Sequence, residues 1–147
     1  MSVYLLDINV LVALSWANHE QHEAASSWFR THQRSGWATC PLTQAGFVRV
    51  SSNPRVFPDA PPPAKVLEIL ETNLSHPAHR FWKLDIGLGD AVSPFADRFA
   101  GHQQTTDAYL LGLAIHKSGI LASFDSSIAA LLEPRSPHLK ALEILQA

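Results

Sequence analysis

Twice in this chain a short apolar, β-prone run stops at an aspartate. Residues 3–6 end at Asp7, and residues 120–124 end at Asp125. Neither run alternates polar with apolar, so each reads as a strand buried on both faces, the kind found inside parallel sheets. An acid just past such a strand sits at the carboxyl edge of the sheet, where open α/β folds hold their ligands. The rest of the chain is constrained by what can lie between and around these two strands.

Helices fill the space between them. Residues 8–16 are apolar on almost every side and predict a short buried helix. Asn18 is placed to cap a second, amphipathic helix over 19–32, with Ala24, Ala25, Trp28 and Phe29 on its apolar face. That helix stops near Ser35-Gly36, before a short strand over 37–40. A third helix opens at Leu42-Thr43 and closes at Ser51-Ser52-Asn53-Pro54. Residues 54–63 hold five of the ten prolines and predict a loop, too short to link two domains. Helix periodicity returns over 64–74. Residues 80–84 predict a strand, with Phe81 and Trp82 as its bulk. Residues 85–104 show only a short helix around 94–99. Thr105-Thr106-Asp107 then opens the clearest helix in the chain, which ends at Lys117-Ser118-Gly119. A short helix follows over 126–132. Residues 138–147 favour helix by local propensity, with 142–145 the alternative as an edge strand. Strands alternating with helices predict an α/β fold, a three-layer α/β/α arrangement around a mainly parallel sheet of four or five strands.

The 147 residues suit a single domain spanning 1–147. A net charge of -2 excludes a broadly basic surface that holds nucleic acid by charge alone, but not a local basic groove. The lone cysteine, Cys40, excludes an internal disulfide and a cysteine-rich zinc site. The start of the chain has no signal-peptide pattern, and no apolar run reaches the roughly 18 residues that span a bilayer. The expectation is a cytoplasmic protein with no membrane contact.

Three acids share one context. Asp7 and Asp125 follow strands, and Asp107 lies in the first turn of a helix that leads into the second of those strands. Several carboxylates suit Mg²⁺ or Mn²⁺ and no soft metal. Such ions bind a phosphodiester, lower the pKa of a water and steady a leaving oxygen. Each acid also has a structural reading: Asp7 as a turn residue, Asp125 as an N-cap, Asp107 as a helix-dipole partner with Thr106 as the cap. His19-Glu20-Gln21-His22 falls one residue short of the H-E-x-x-H pattern and reads as a solvent-facing helix start. Trp28 and Phe29 belong to the core or to a groove for a partner.

Four stretches, taken in order, carry a resemblance. They are Leu6-Asp7-Ile8-Asn9-Val10-Leu11, Cys40-Pro41-Leu42-Thr43-Gln44-Ala45-Gly46-Phe47-Val48-Arg49-Val50, Gly101-His102-Gln103-Gln104-Thr105-Thr106-Asp107-Ala108-Tyr109-Leu110-Leu111 and Ser123-Phe124-Asp125. Each is short, but their order and spacing from Leu5 to about Leu132 resemble the PIN-domain ribonucleases, the VapC-type toxins of toxin–antitoxin pairs above all. The resemblance implies a Mg²⁺- or Mn²⁺-dependent endoribonuclease that cleaves RNA, pairs with a VapB-type antitoxin and forms a homodimer.

In that resemblance Asp7, Asp107 and Asp125 hold the metal, and Thr106 supports substrate or water. A glutamate usual in the family falls on Gln44, which removes one negative charge and cannot act as a base. Arg49 and Asn9 are the expected substrate contacts, with an ion pair to a cluster acid as the other reading of Arg49. Gln44 also supports a rival reading, a PIN-fold RNA- or protein-binding module with weakened catalysis. A phosphatase with Asp7 as nucleophile is disfavoured, because Asn9 stands where a second acid is needed.

Overall fold

In the computed structural model, which describes residues 2–147, five short strands form one parallel sheet. They are β1 (Tyr4–Leu6), β2 (Trp37–Thr39), β3 (His79–Phe81), β4 (Ile120–Ser123) and β5 (Leu142–Ile144). Their order across the sheet is β3-β2-β1-β4-β5, and every neighbouring pair is parallel. The chain therefore lays β2 and β3 on one side of β1, then returns to lay β4 on the other. That reversal opens a crevice between the carboxyl ends of β1 and β4, the place where doubly wound sheets bind ligands. Asp7 follows β1 directly, and Asp125 follows β4 after Phe124.

The pleat sends alternate side chains to opposite faces. Leu5, Ala38 and Leu121 meet one core, which α5 (Leu88–Val92) and α6 (Thr105–His116) complete. Leu6, Trp37 and Ala122 meet the other, built with α1 (Ile8–Ser15), α3 (Pro41–Ser51) and α4 (Pro63–Leu74). Helix α2 (His22–His32) adds Trp28 and Phe29 to that second side. This is the three-layer arrangement expected. Leu110, Leu111 and Leu113 of α6 are fully buried, each contributing about 1.5–3 kcal/mol of transfer free energy. Gly112 lets α6 touch α5 backbone to backbone, since a Cβ there would lie 2.1 Å from the Ala91 carbonyl oxygen.

Several boundaries differ from the sequence reading. Helix α2 starts at His22, and Asn18 does not cap it. The turn before it closes instead through the Gln21 N–H, which donates to His19 Nδ1 at 3.0 Å. Thr106 is not the cap of α6; that helix begins at Thr105, whose hydroxyl donates to the His102 carbonyl, and no side chain caps it. Strand β3 is set one residue earlier than expected, by pairing with β2 through His79, Arg80 and Phe81. Of its two bulky residues, Trp82 is buried and Phe81 is 53% exposed, because β3 is an edge. The ambiguous carboxyl end resolves as β5, which β4 recruits in parallel register from Leu121–Leu142 to Ser123–Ile144. Glu143 of β5 accepts from Trp28 Nε1, so α2 and the edge strand hold each other. Among the described residues no helix is long and apolar enough to cross a membrane.

Candidate active site: a carboxylate pocket

Asp7 caps α1, its Oδ1 accepting from the Ile8 N–H at 2.8 Å. Its Oδ2 accepts from the Ser123 hydroxyl at 2.7 Å. Ser123 is fully buried and its oxygen also accepts from Asn9 Nδ2 at 3.1 Å and from the Asp125 N–H at 3.0 Å. Both of those partners are donors, so the single hydroxyl proton is left for Asp7. Asn9 closes the ring by accepting from the Phe124 N–H at 3.2 Å. Four polar groups from β1, α1 and the end of β4 are thus fixed around one serine.

Asp125 caps the single turn at Ser126–Leu131. Its Oδ1 accepts from the Ser127 N–H at 3.0 Å and from the Ser127 hydroxyl at 2.6 Å. The N-cap reading of Asp125 is therefore realised, while Asp7, expected as a turn residue, is a helix N-cap as well; these caps point the two carboxylates at the crevice. Asp107 enters from the first turn of α6, whose amino end faces the same edge because the helix runs back against the strands.

The three acids line one pocket of about 290 Å³, together with Asn9 and His19. Repulsion between them contributes to raising two of the three. Burial first, then the charges of Asp7 and Asp125, push Asp107 up to about 6. Among the described residues no hydrogen bond to Asp107 offsets this. Burial also raises Asp7, against the lowering effect of the Ser123 and Ile8 hydrogen bonds, with Asp125 adding repulsion. A cation removes such a penalty.

The donor set is one of hard oxygens, which fits Mg²⁺ or Mn²⁺. Among the described residues, however, no three Asp, Glu, His or Cys side chains converge as a ready-made metal cage. The reason is local: Asp7 is tied to Ser123 and Asp125 to Ser127, each turned partly toward its own donors. Mg²⁺ rarely uses an all-protein cage; it binds through one or two carboxylates, keeping waters and adding substrate phosphates.

The other expected residues lie outside the lining of this pocket. Gln44 sits in the first turn of α3, and its Nε2 donates to Thr39 Oγ1 at 3.0 Å. Thr39 Oγ1 is in turn hydrogen-bonded to His79 Nε2 at 2.8 Å, and burial holds His79 below its ordinary value. Arg49 is exposed and makes no ion pair among the described residues, so the salt bridge to a cluster acid is not formed. Thr106 is exposed beside Asp107. Two residues were missed in the sequence. Ser123 carried no signal beyond standing two places before Asp125. His19 was set aside as solvent-facing; only the return of the α1–α2 turn toward the crevice brings it to the pocket.

A larger cleft of about 620 Å³ lies between α2 and α4, lined by Phe29, Trp37, Ile69 and His76 among others, and holds none of the acids. Phe29 faces this cleft. Trp28 instead stacks on His32 at 4.5 Å between ring centroids.

The family model described as PIN domain matches residues 4–133. Ribonuclease VapC38 of Mycobacterium tuberculosis is 43% identical over 131 residues, covering 89% of this chain and 91% of that protein. Ribonuclease VapC44 of the same organism is 39% identical over 140 residues, covering 94% and 98%. Among solved structures, VapBC2 from Rickettsia felis bound to a DNA fragment from their promoter is similar, with a TM-score of 0.62, 14% identity and coverage of 98% and 99%. That last likeness is one of fold.

Proposed function

The chain belongs to the PIN-domain family, and on that premise we propose that it is an endoribonuclease dependent on a divalent metal, the toxin of a VapBC-type toxin–antitoxin pair. The observation that carries the reading is the meeting of Asp7, Asp107 and Asp125, from three separate elements, in one pocket at the switch point of the sheet. The ribonuclease names of relatives that align over nearly the whole chain support the same activity.

In this reading Asp7, Asp107 and Asp125 hold Mg²⁺ or Mn²⁺, which supplies charge for a phosphodiester and acidity for water. Ser123 and Asn9 keep Asp7 in position. Asp107, whose carboxylate has no hydrogen-bond donor among the described residues, is the acid most ready to take up a cation or a proton. Thr106, at the rim beside Asp107, and Arg49, on the exposed face of α3, are within the reach of a long RNA substrate. Gln44 contributes by securing the start of α3 through Thr39 rather than by carrying charge. The α2–α4 cleft, with Phe29 in its wall, is proposed as the seat of an apolar segment of a VapB-type antitoxin. Exposed Phe81, Leu84 and Leu88 are proposed as the contact with a second copy of the chain.

The test is cleavage of single-stranded RNA by purified protein in Mn²⁺, in EDTA, and by Asp7→Asn in Mn²⁺. Cleavage only by the unaltered protein in Mn²⁺ supports the reading, and equal cleavage in all three refutes it.

A further inference from the structure

The carboxylate pocket is a groove with two unlike ends. Asp7 precedes α1 and His19 follows it, and both line the groove. Ile8 and Val12, one turn apart on α1, line it as well, with Val50 and Val56. Helix α1 has 8 residues, so the groove runs along an element about 12 Å long. The acids therefore sit at one end and the imidazole at the other.

His19 is held firmly. Its Nδ1 accepts from the Gln21 N–H at 3.0 Å, which leaves the ring proton on Nε2. The ring lies 6.4 Å from Phe57 at a tilt of 48°. Phe57 in turn packs on Trp16, and Trp16 Nε1 donates to the buried Ser51 hydroxyl at 2.9 Å. The proline-rich loop and the ends of α1 and α3 thus form its support. His22, its partner in the sequence, is spent on structure: its Nδ1 bonds the Ala13 carbonyl at 2.8 Å. His19 is the one group in the groove whose ionisable form is a donor and not an acid.

We propose that His19 is a second contact for the RNA backbone, donating from Nε2 to a phosphate that flanks the one at the carboxylates. The proposal rests on the ribonuclease reading of the pocket. A chain of phosphates laid along α1 meets repulsion from three acids at one end, which a cation offsets. At the other end it meets an N–H donor, already oriented, so little freedom is lost on binding. A contact away from the reacting phosphate is felt equally before and during the reaction. It lowers KM without raising kcat.

Two substitutions separate this role from a structural one. His19→Asn keeps an oxygen where Nδ1 accepts from Gln21, as Asx turns do, but has nothing at Nε2. His19→Gln places an amide N–H near Nε2 and gives up the local acceptor. The readouts are anisotropy of a fluorescein-labelled single-stranded RNA in Ca²⁺, a hard cation that suits the carboxylates, steady-state cleavage in Mn²⁺, and melting temperature. We expect His19→Asn to bind RNA about tenfold more weakly, with KM raised by a similar factor, kcat unchanged and an unaltered melt, and His19→Gln to recover most of the affinity. Unchanged RNA affinity in His19→Asn, with normal cleavage, overturns this proposal and leaves the ribonuclease reading standing. So does a loss that tracks the melting temperature in both variants. Failure of the unaltered protein to bind or cleave RNA overturns both.

Discussion

The Ser123 hydroxyl donates to Asp7 Oδ2 at 2.7 Å, and the same oxygen accepts from Asn9 and from the Asp125 backbone. Ser123→Ala leaves the Asn9 amide and the Asp125 N–H without their acceptor and strips a buried carboxylate of one donor. Leaving buried groups unpaired costs about 1–3 kcal/mol each, partly relieved by water. The expected loss on urea denaturation is about 2–3 kcal/mol, with weaker Mn²⁺ binding by calorimetry because Asp7 is no longer fixed.

The raised acids make stability depend on pH in a definite direction. Asp107 titrates at about 6 in the folded chain against 3.8 as its ordinary value. Between those values the folded state binds more protons than the unfolded state, so stability falls as pH rises. Asp7, also raised, acts with the same sign. The expectation is a melting temperature in EDTA that drops from pH 4 toward pH 6 on account of these acids. Asp107→Asn flattens that drop, and Mn²⁺ raises the melt more at pH 7 than at pH 5.

The backbone contact between α6 and α5 predicts a sharp contrast among glycines. At Gly112 an added Cβ meets the Ala91 carbonyl oxygen at 2.1 Å, while at Gly87 and Gly89 it meets nothing within 4 Å. Gly112→Ala has to separate the two helices, and overpacking of this kind costs about 1–3 kcal/mol or more. Because α6 carries Asp107, cleavage should fall with it. Gly87→Ala and Gly89→Ala should melt like the unaltered chain.

Gln44 is bonded to Thr39 and lies outside the carboxylate lining. Restoring an acid there adds a charge outside the pocket lining, on a side chain that solvent reaches and partly screens. Gln44→Glu should change the Mn²⁺ dissociation constant by less than about threefold. It should also cost stability, since a carboxylate cannot donate to Thr39 Oγ1 as the Gln44 amide does.

Much of this was legible in the residues because the two central strands are short, apolar and closed by acids. Leu5, Leu6, Leu121 and Ala122 have one plausible fate, and α6 follows from an unbroken apolar run behind Asp107. The convergence of Asp7, Asp107 and Asp125 follows from sheet order, which local propensity does not encode but family resemblance does. What escaped depends on contacts between distant residues. Residues 142–144 form a strand only because β4 offers an open edge and Trp28 reaches Glu143. Ser123 looks like any small strand residue until Asp7, 116 positions away in sequence, takes its proton. His19 escapes the sequence because local propensity starts α2 at 19 while the helix begins at 22, which makes a groove residue read as a helix terminus.

The central claim is that the carboxylate pocket holds the cation used to cut RNA. Anomalous diffraction from crystals soaked in Mn²⁺ tests it most directly, given a protein that cleaves RNA in the same buffer. The account predicts an anomalous peak within coordination distance of carboxylate oxygens of Asp107 and of Asp7 or Asp125, absent from crystals of Asp107→Asn. A peak elsewhere, or none in crystals of active protein, would contradict it.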